Sequence, residues 1–215
     1  MNKIYIVDIN SIRDRDVYEY WYEQMSIERK KKIDKYKPDQ SKLLSLAAGI
    51  ALKRAFEEAE IKSFEIYEND YGKPYIKGEK DIFFNLSHSG DKAIIAISDM
   101  EVGIDIQEIT HFEKGLIKRV FTEGEIEQVS AAEGEKDAIY TALWTAKESI
   151  MKYYGKGLSM DPLKIEIRVK TSTDFETDGE LKLFRKEMEG YQITICSSGA
   201  DFSNISITDV FNEKG

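Results

Sequence analysis

Cysteine is almost missing from this sequence: Cys196 is the single one in 215 residues. That excludes an internal disulfide framework and a thiolate zinc cluster, and it fits a reducing compartment. No stretch comes near the roughly eighteen apolar residues of a membrane span, and the opening MNKIYIVDIN has no basic segment followed by an apolar one. The expectation is a cytoplasmic protein with no membrane attachment. Positive charge is short as well, since 31 Lys and Arg stand against 40 Asp and Glu, a formal net charge of −9. Nucleic-acid binding runs on neutralising phosphates with Lys and Arg, so general affinity of that kind is excluded. Any phosphate chemistry must use local basic patches. What is present is 41% hydrophobic residues, enough for one sizeable core or two small ones.

The pattern along the chain repeats. KIYIVDI (3–9) alternates as a strand, and a charged stretch with helical spacing runs to about Tyr36, where Pro38 breaks it. SKLLSLAAGIALKRAFEEAE (41–60) reads as a long buried helix. Strands follow at FEIYE (64–68), IFFNL (82–86) and KAIIAIS (92–98), with NDYGKP and SHSGD as turns. Then the order returns: strand EVGIDIQEI (101–109), a helix in RVFTEGEIEQVSA, a long helix EKDAIYTALWTAKESIMKYY (135–154), and strands LKIEIRV, ELKLFRKE and YQITICS. The repeat predicts α+β architecture built from two similar α/β halves, 1–100 and 101–215, too small to be comfortable alone. A site at their seam near Met100 would draw on both.

Two features carry candidate chemistry. In VGIDIQEI, Val102, Ile104 and Ile106 face one way while Gly103, Asp105 and Gln107 face the other. A strand Asp is explained either by a wet sheet face or by a magnesium ligand, with Gly103 leaving room for an anion. On the long helix, Ile139, Leu143, Ala146 and Ile150 form the core stripe, and Trp144, Glu148 and Lys152 line up on the opposite side. A surface Glu-to-Lys pair accounts for part of that line, but a tryptophan on it points to the wall of a cleft. The cationic block Arg29 to Lys37 reads as a solvated helix face or as a clamp for a terminal phosphate. Thr122 to Glu125 is a capping box.

Taken together, YGKP, FNLSHSG, VGIDIQ, RVFTEGE and WTAKESIMKYYGKGL, spread over residues 71–158, resemble the Sfp-type 4'-phosphopantetheinyl transferases. The resemblance implies two related halves in pseudo-two-fold arrangement with the active site at the seam. It implies transfer of the phosphopantetheine arm of coenzyme A to a serine of an apo acyl or peptidyl carrier protein, releasing adenosine 3',5'-bisphosphate. Nucleotide and phosphate contacts are expected from the first half at Lys31, Ser45, Lys73, Pro74, Ser87 and His88, together with Lys147 of the second half, which is expected to brace the carboxylates. Magnesium ligands carry over as Asp105, Gln107 and Glu148. Gln107 departs from the commoner acidic residue there, which bears on metal affinity. The expected catalytic residues are Glu148, Lys152 and Asp105. A carrier is expected to dock on His111 to Glu125, with Lys114, Lys118 and Arg119 as a basic patch and Phe112, Leu116 and Ile117 as the apolar anchor. The family also implies a monomer. A catalytically silent protein that binds coenzyme A or a carrier and regulates by occupancy is the alternative.

Overall fold

The computed structural model describes residues 1–61, 64–78, 81–171 and 174–212. The first half runs β1 (Asn2–Asp8), a 3-10 turn, α1 (Arg15–Glu23), α2 (Ile27–Asp34), α3 (Asp39–Glu58), β2 (Ile66–Glu68), β3 (Pro74–Ile76), β4 (Phe83–Ser89) and β5 (Lys92–Ser98). The second runs β6 (Gly103–Glu108), α4 (Lys114–Val120), α5 (Glu123–Ala131), α6 (Lys136–Tyr153), β7 (Ile167–Val169), β8 (Phe175–Thr177), β9 (Lys182–Met188) and β10 (Tyr191–Ser197), and β11 (Ile207–Asp209) follows. Strand, two short helices, long helix, small hairpin and large hairpin recur in the same order. The sheets recur too, as β1-β5-β4 and β6-β10-β9, all antiparallel. This is the duplicated α+β architecture that the repeat predicts. β11, which lies beyond residue 100, adds to the first sheet, parallel to β1.

Local chemistry explains where the elements begin. The charged stretch before Pro38 is two helices because Asp14 accepts the N–H of Asp16 and Val17 while Ser26 accepts that of Arg29, each capping a separate start. Thr122 and Glu125 form the expected capping box on α5, at 3.2 and 2.8 Å. Among the described residues, no helix is long and apolar enough to cross a membrane.

Alternation along the strands builds the layers. Tyr5, Val7, Ile95 and Ile97 pack under Leu46 and Ile50 of α3. Ile4, Ile6 and Ile94 on the other face meet Ile104, Ile106, Ile193 and Ile195 of the second sheet. α6 covers the far side of that sheet with Ile139, Leu143, Ala146 and Ile150, the predicted core stripe. The order is therefore helix, sheet, sheet, helix. At one edge β4 and β6 are joined by side chains: Asn85 Oδ1 accepts Ile104 N–H at 3.0 Å and Ser89 Oγ accepts Glu108 N–H at 3.1 Å.

Candidate active site

That joined edge holds the site. Ser87 lies between Asn85 and Ser89 on β4 and donates to Asp105 Oδ1 of β6 at 2.7 Å. The same oxygen takes Lys152 Nζ of α6 at 2.6 Å, and Lys152 also donates to Ser87 Oγ at 2.7 Å. Asp105 is 3% exposed, so this ion pair works with little screening by water. One turn earlier on α6 stands Glu148, whose pKa is raised from 4.5 to about 7. Burial is the main cause and the Asp105 charge adds to it, with Lys152 opposing. Two carboxylates, an ammonium and a hydroxyl from three elements and both halves thus converge.

The sequence places Gly103 beside Asp105 as room for a ligand, but α6 itself fills that room. A Cβ on Gly103 would lie 2.1 Å from the carbonyl oxygen of Ser149 and 2.5 Å from the nitrogen of Tyr153. The glycine lets the helix sit on the strand, which brings Glu148 and Lys152 to Asp105.

The Ser-His pair is not on a turn as predicted. β4 continues through Ser89, and the hairpin closes at Gly90 and Asp91. The extension follows from Ser87 and Ser89 finding partners on β6, which local turn propensity does not register. His88 points the other way and reaches solvent. Its pKa is held below 6.5 by partial withdrawal from water and by the positive charge of Lys152, with Arg29 adding to the effect.

Other expected residues fall in several places. Gln107 shares the Asp105 face and lines a cavity of about 220 Å³ with Thr110, His111, Phe112, Leu116, Val120 and Trp144. Trp144 is therefore a wall residue, as its line on the helix predicts. Phe112 packs inside against Phe121, while Leu116 is 44% exposed and Lys114, Lys118 and Arg119 are exposed around it. Lys147 does not brace Asp105 or Glu148. It is fully buried on the opposite side of α6, bonded to Glu125 Oε2 at 2.7 Å and to the Pro162 carbonyl at 2.8 Å.

Ser45 is 7% exposed on α3. Its carbonyl accepts not from Lys31, which is exposed, but from the Arg29 guanidinium. Arg29 packs against Gly49, and its Nε is buried without a hydrogen-bond partner among the described residues. Within the cationic block Arg29 to Lys37, spacing marks Arg29 as an inward-facing member: it lies four residues before buried Ile33, whereas Lys31 is about 200° round the helix. Lys73 is buried in the seam and Pro74 is half-buried at the start of β3. Cys196 is buried, with its thiol pushed up to about 12 by desolvation, which rules it out as a nucleophile near neutral pH.

Residues 101–196 match the family described as the 4'-phosphopantetheinyl transferase superfamily. Over that stretch the chain is similar to the superfamily. It is 34% identical over 147 residues to the 4'-phosphopantetheinyl transferase gsp of Aneurinibacillus migulanus, covering 66% of this chain and 61% of that protein. To the transferase Sfp of Bacillus subtilis strain 168 it is 32% identical over 140 residues, 62% of each. The chain thus spans between three fifths and two thirds of the length of these curated relatives. A solved holo-(acyl-carrier-protein) synthase from Bacillus anthracis, in complex with CoA (3',5'-ADP), is 24% identical with a TM-score of 0.38, covering 45% of this chain and 93% of that one. The matched stretch includes Asp105, Gln107, Glu148 and Lys152.

Among the described residues, no group of three or more His, Cys, Asp or Glu converges. The set on offer to a divalent cation is two carboxylates and the Gln107 amide. Glu148 is raised by burial and, after that, by the charge of Asp105, which therefore opposes ionisation of Glu148. A cation between the two would offset that charge, so the residues present fit one.

Proposed function

We propose that this chain transfers the 4'-phosphopantetheine arm of coenzyme A to a serine hydroxyl of an apo acyl or peptidyl carrier protein. The observation that carries the reading is the convergence of Ser87, Asp105, Glu148 and Lys152 across the two halves, in a chain similar to named 4'-phosphopantetheinyl transferases. Coenzyme A as the donor is the chemistry those names imply.

A carboxyl group titrating near 7 is suited to take a proton from an alcohol at neutral pH. Glu148 accepts that proton as the serine oxygen attacks the phosphorus nearer pantetheine. The bond from that phosphorus to the bridging oxygen then breaks, and adenosine 3',5'-bisphosphate leaves with the electron pair. Asp105, Glu148 and the Gln107 amide oxygen would hold a magnesium ion, which supplies positive charge to the pyrophosphate oxygens when bound. Lys152 adds a fixed positive charge beside them. Ser87 and Lys152 together keep Asp105 oriented. His88, uncharged near pH 7, offers an N–H to a phosphate, and Arg29 near it supplies a permanent charge. The carrier docks over the cavity below Trp144, where exposed Leu116 is flanked by Lys114, Lys118 and Arg119.

The test is to incubate the protein with coenzyme A, magnesium and a panel of apo carriers and to weigh the carriers. A gain of one phosphopantetheine is expected, and it should vanish in Glu148→Ala while adenosine 3',5'-bisphosphate still binds. Unchanged masses across the panel would reject the reading in favour of a silent binder.

A further inference from the structure

The Gly-Lys-Pro turn is expected from sequence to offer its lysine to a ligand, yet the Lys73 ammonium is spent inside the protein. Lys73 is 6% exposed. Its Nζ pairs with the Glu101 carboxylate and donates to the carbonyls of Tyr153 at 2.7 Å and Val102 at 3.3 Å. Glu101 and Val102 belong to the connection between the halves, and Tyr153 is the last residue of α6. The carbonyls at a helix end carry partial negative charge and lack helical partners, so an ammonium there satisfies one and complements the helix dipole.

The same turn grips α6 a second time. Asn69 Nδ2 donates to the Gly155 carbonyl at 2.8 Å, while Asn69 Oδ1 accepts the N–H of Tyr71 and Lys73 at 3.0 and 2.9 Å. Gly155 has φ +64, and a Cβ on it would come within 2.8 Å of Asn69 Nδ2 and 2.9 Å of Lys73 Cδ. Turn and helix end therefore meet with no space for a methyl group. Glu148 and Lys152 ride on the last two turns of that helix.

We propose that Lys73 is a positioning residue, which fixes the end of α6 against the first half and so sets where Glu148 and Lys152 stand. It acts through the Tyr153 carbonyl and the Glu101 connection, not by touching the nucleotide. The proposal deepens the transferase reading and rests on it for its kinetic consequence. Its structural consequence is independent.

The experiment compares wild type with Lys73→Met, which keeps the aliphatic stem, and with Lys73→Met/Glu101→Met, which also removes the carboxylate left without its partner. In Lys73→Met, amide exchange at Tyr154, Gly155 and Lys156 is expected to speed up about tenfold or more. Affinity for adenosine 3',5'-bisphosphate by calorimetry should stay within about threefold, and kcat for carrier modification should fall about tenfold or more. In the double variant the melting temperature should recover while kcat stays low, because the Tyr153 carbonyl still lacks its donor. A loss of nucleotide affinity of about tenfold with unchanged exchange in α6 would make Lys73 a ligand contact and overturn the proposal. Recovery of kcat along with melting temperature in the double variant would overturn it as well, leaving a purely structural pair. Should wild type modify no carrier, the transferase reading fails, and the exchange and calorimetric arms still decide what Lys73 does.

Discussion

Glu148 stands at a cost, and removing its charge should make the protein more stable. Its pKa rises from 4.5 to about 7, chiefly through burial and further through Asp105. Below 4.5 the carboxyl is protonated in both folded and unfolded chains, so it contributes no difference. Between 4.5 and about 7 the unfolded chain ionises first, and wild-type stability falls as pH rises. Above about 7 the full penalty is present, about 3 kcal/mol at about 1.4 kcal/mol per pH unit. Glu148 keeps partial contact with water, which brings the expected gain on neutralising it to about 2 kcal/mol. For a chain of 215 residues, that corresponds to about 4 to 8 °C in melting temperature. Glu148→Gln keeps the shape and removes the charge. Thermal melts followed by circular dichroism in metal-free buffer should show the two proteins nearly equal at about pH 4.5 and the variant higher at about pH 8.5. A variant that melts with or below wild type at the higher pH would refute the reasoning, whatever its effect on transfer.

Two further outcomes follow from other sites. Lys147→Met leaves Glu125 charged and fully buried, so unfolding in urea should register a loss of about 3 to 5 kcal/mol; a variant that keeps its stability but binds nucleotide poorly would put Lys147 back in the site. Glu189 has φ +46 at the β9-β10 hairpin beside Gly190 at φ +81, a turn that favours Asn-Gly. Its ion contact with Lys92 is long, at 3.7 Å, and the Glu189 side chain is 79% exposed. Glu189→Asn should therefore gain about 0.5 to 1 kcal/mol in the same assay, and a loss would show that the Lys92 contact matters more than the backbone.

What the sequence made legible was governed by periodicity. α3 and α6 stand out as long Leu- and Ala-rich runs, and the alternation around Asp105 put Gly103, Asp105 and Gln107 on one face, which is the face covered by α6. What it hid was governed by partners distant in the chain. Ser87 and Ser89 look like turn residues because their acceptor and donor on β6 lie 18 and 19 residues further on. β11 was not anticipated, since a three-residue strand has too little pattern and gains its place only from β1. Lys73 and Gly103 stand out in the sequence as places for a ligand; their contacts with α6, Lys73 Nζ to the Tyr153 carbonyl and Gly103 against Ser149 and Tyr153, again depend on partners distant in the chain. The inward turn of Arg29, with Lys31 exposed, and the burial of Lys147 were readable in principle. Lys147 falls four residues after Leu143 and three before Ile150, on the apolar stripe itself.

That stripe explains why neighbours in the Lys-Glu-Ser motif do opposite things. Successive residues on a helix are turned by about 100°, so when Lys147 enters the core beside Glu125, Glu148 must face out of it toward Asp105. The second carboxylate is unfavourable there, and nothing local would keep it in place. Such a group persists only where the surroundings over-determine its position. Three of the contacts that hold α6 are the backbone approach at Gly103, the buried Lys147–Glu125 pair, and Lys73 with Asn69 at its final turn. Each fixes a different freedom, respectively distance from the sheet, rotation about the axis, and position of the end. Because none of these three contacts involves Glu148, the helix can hold that carboxylate beside Asp105 without using it as an anchor, leaving it available to a proton.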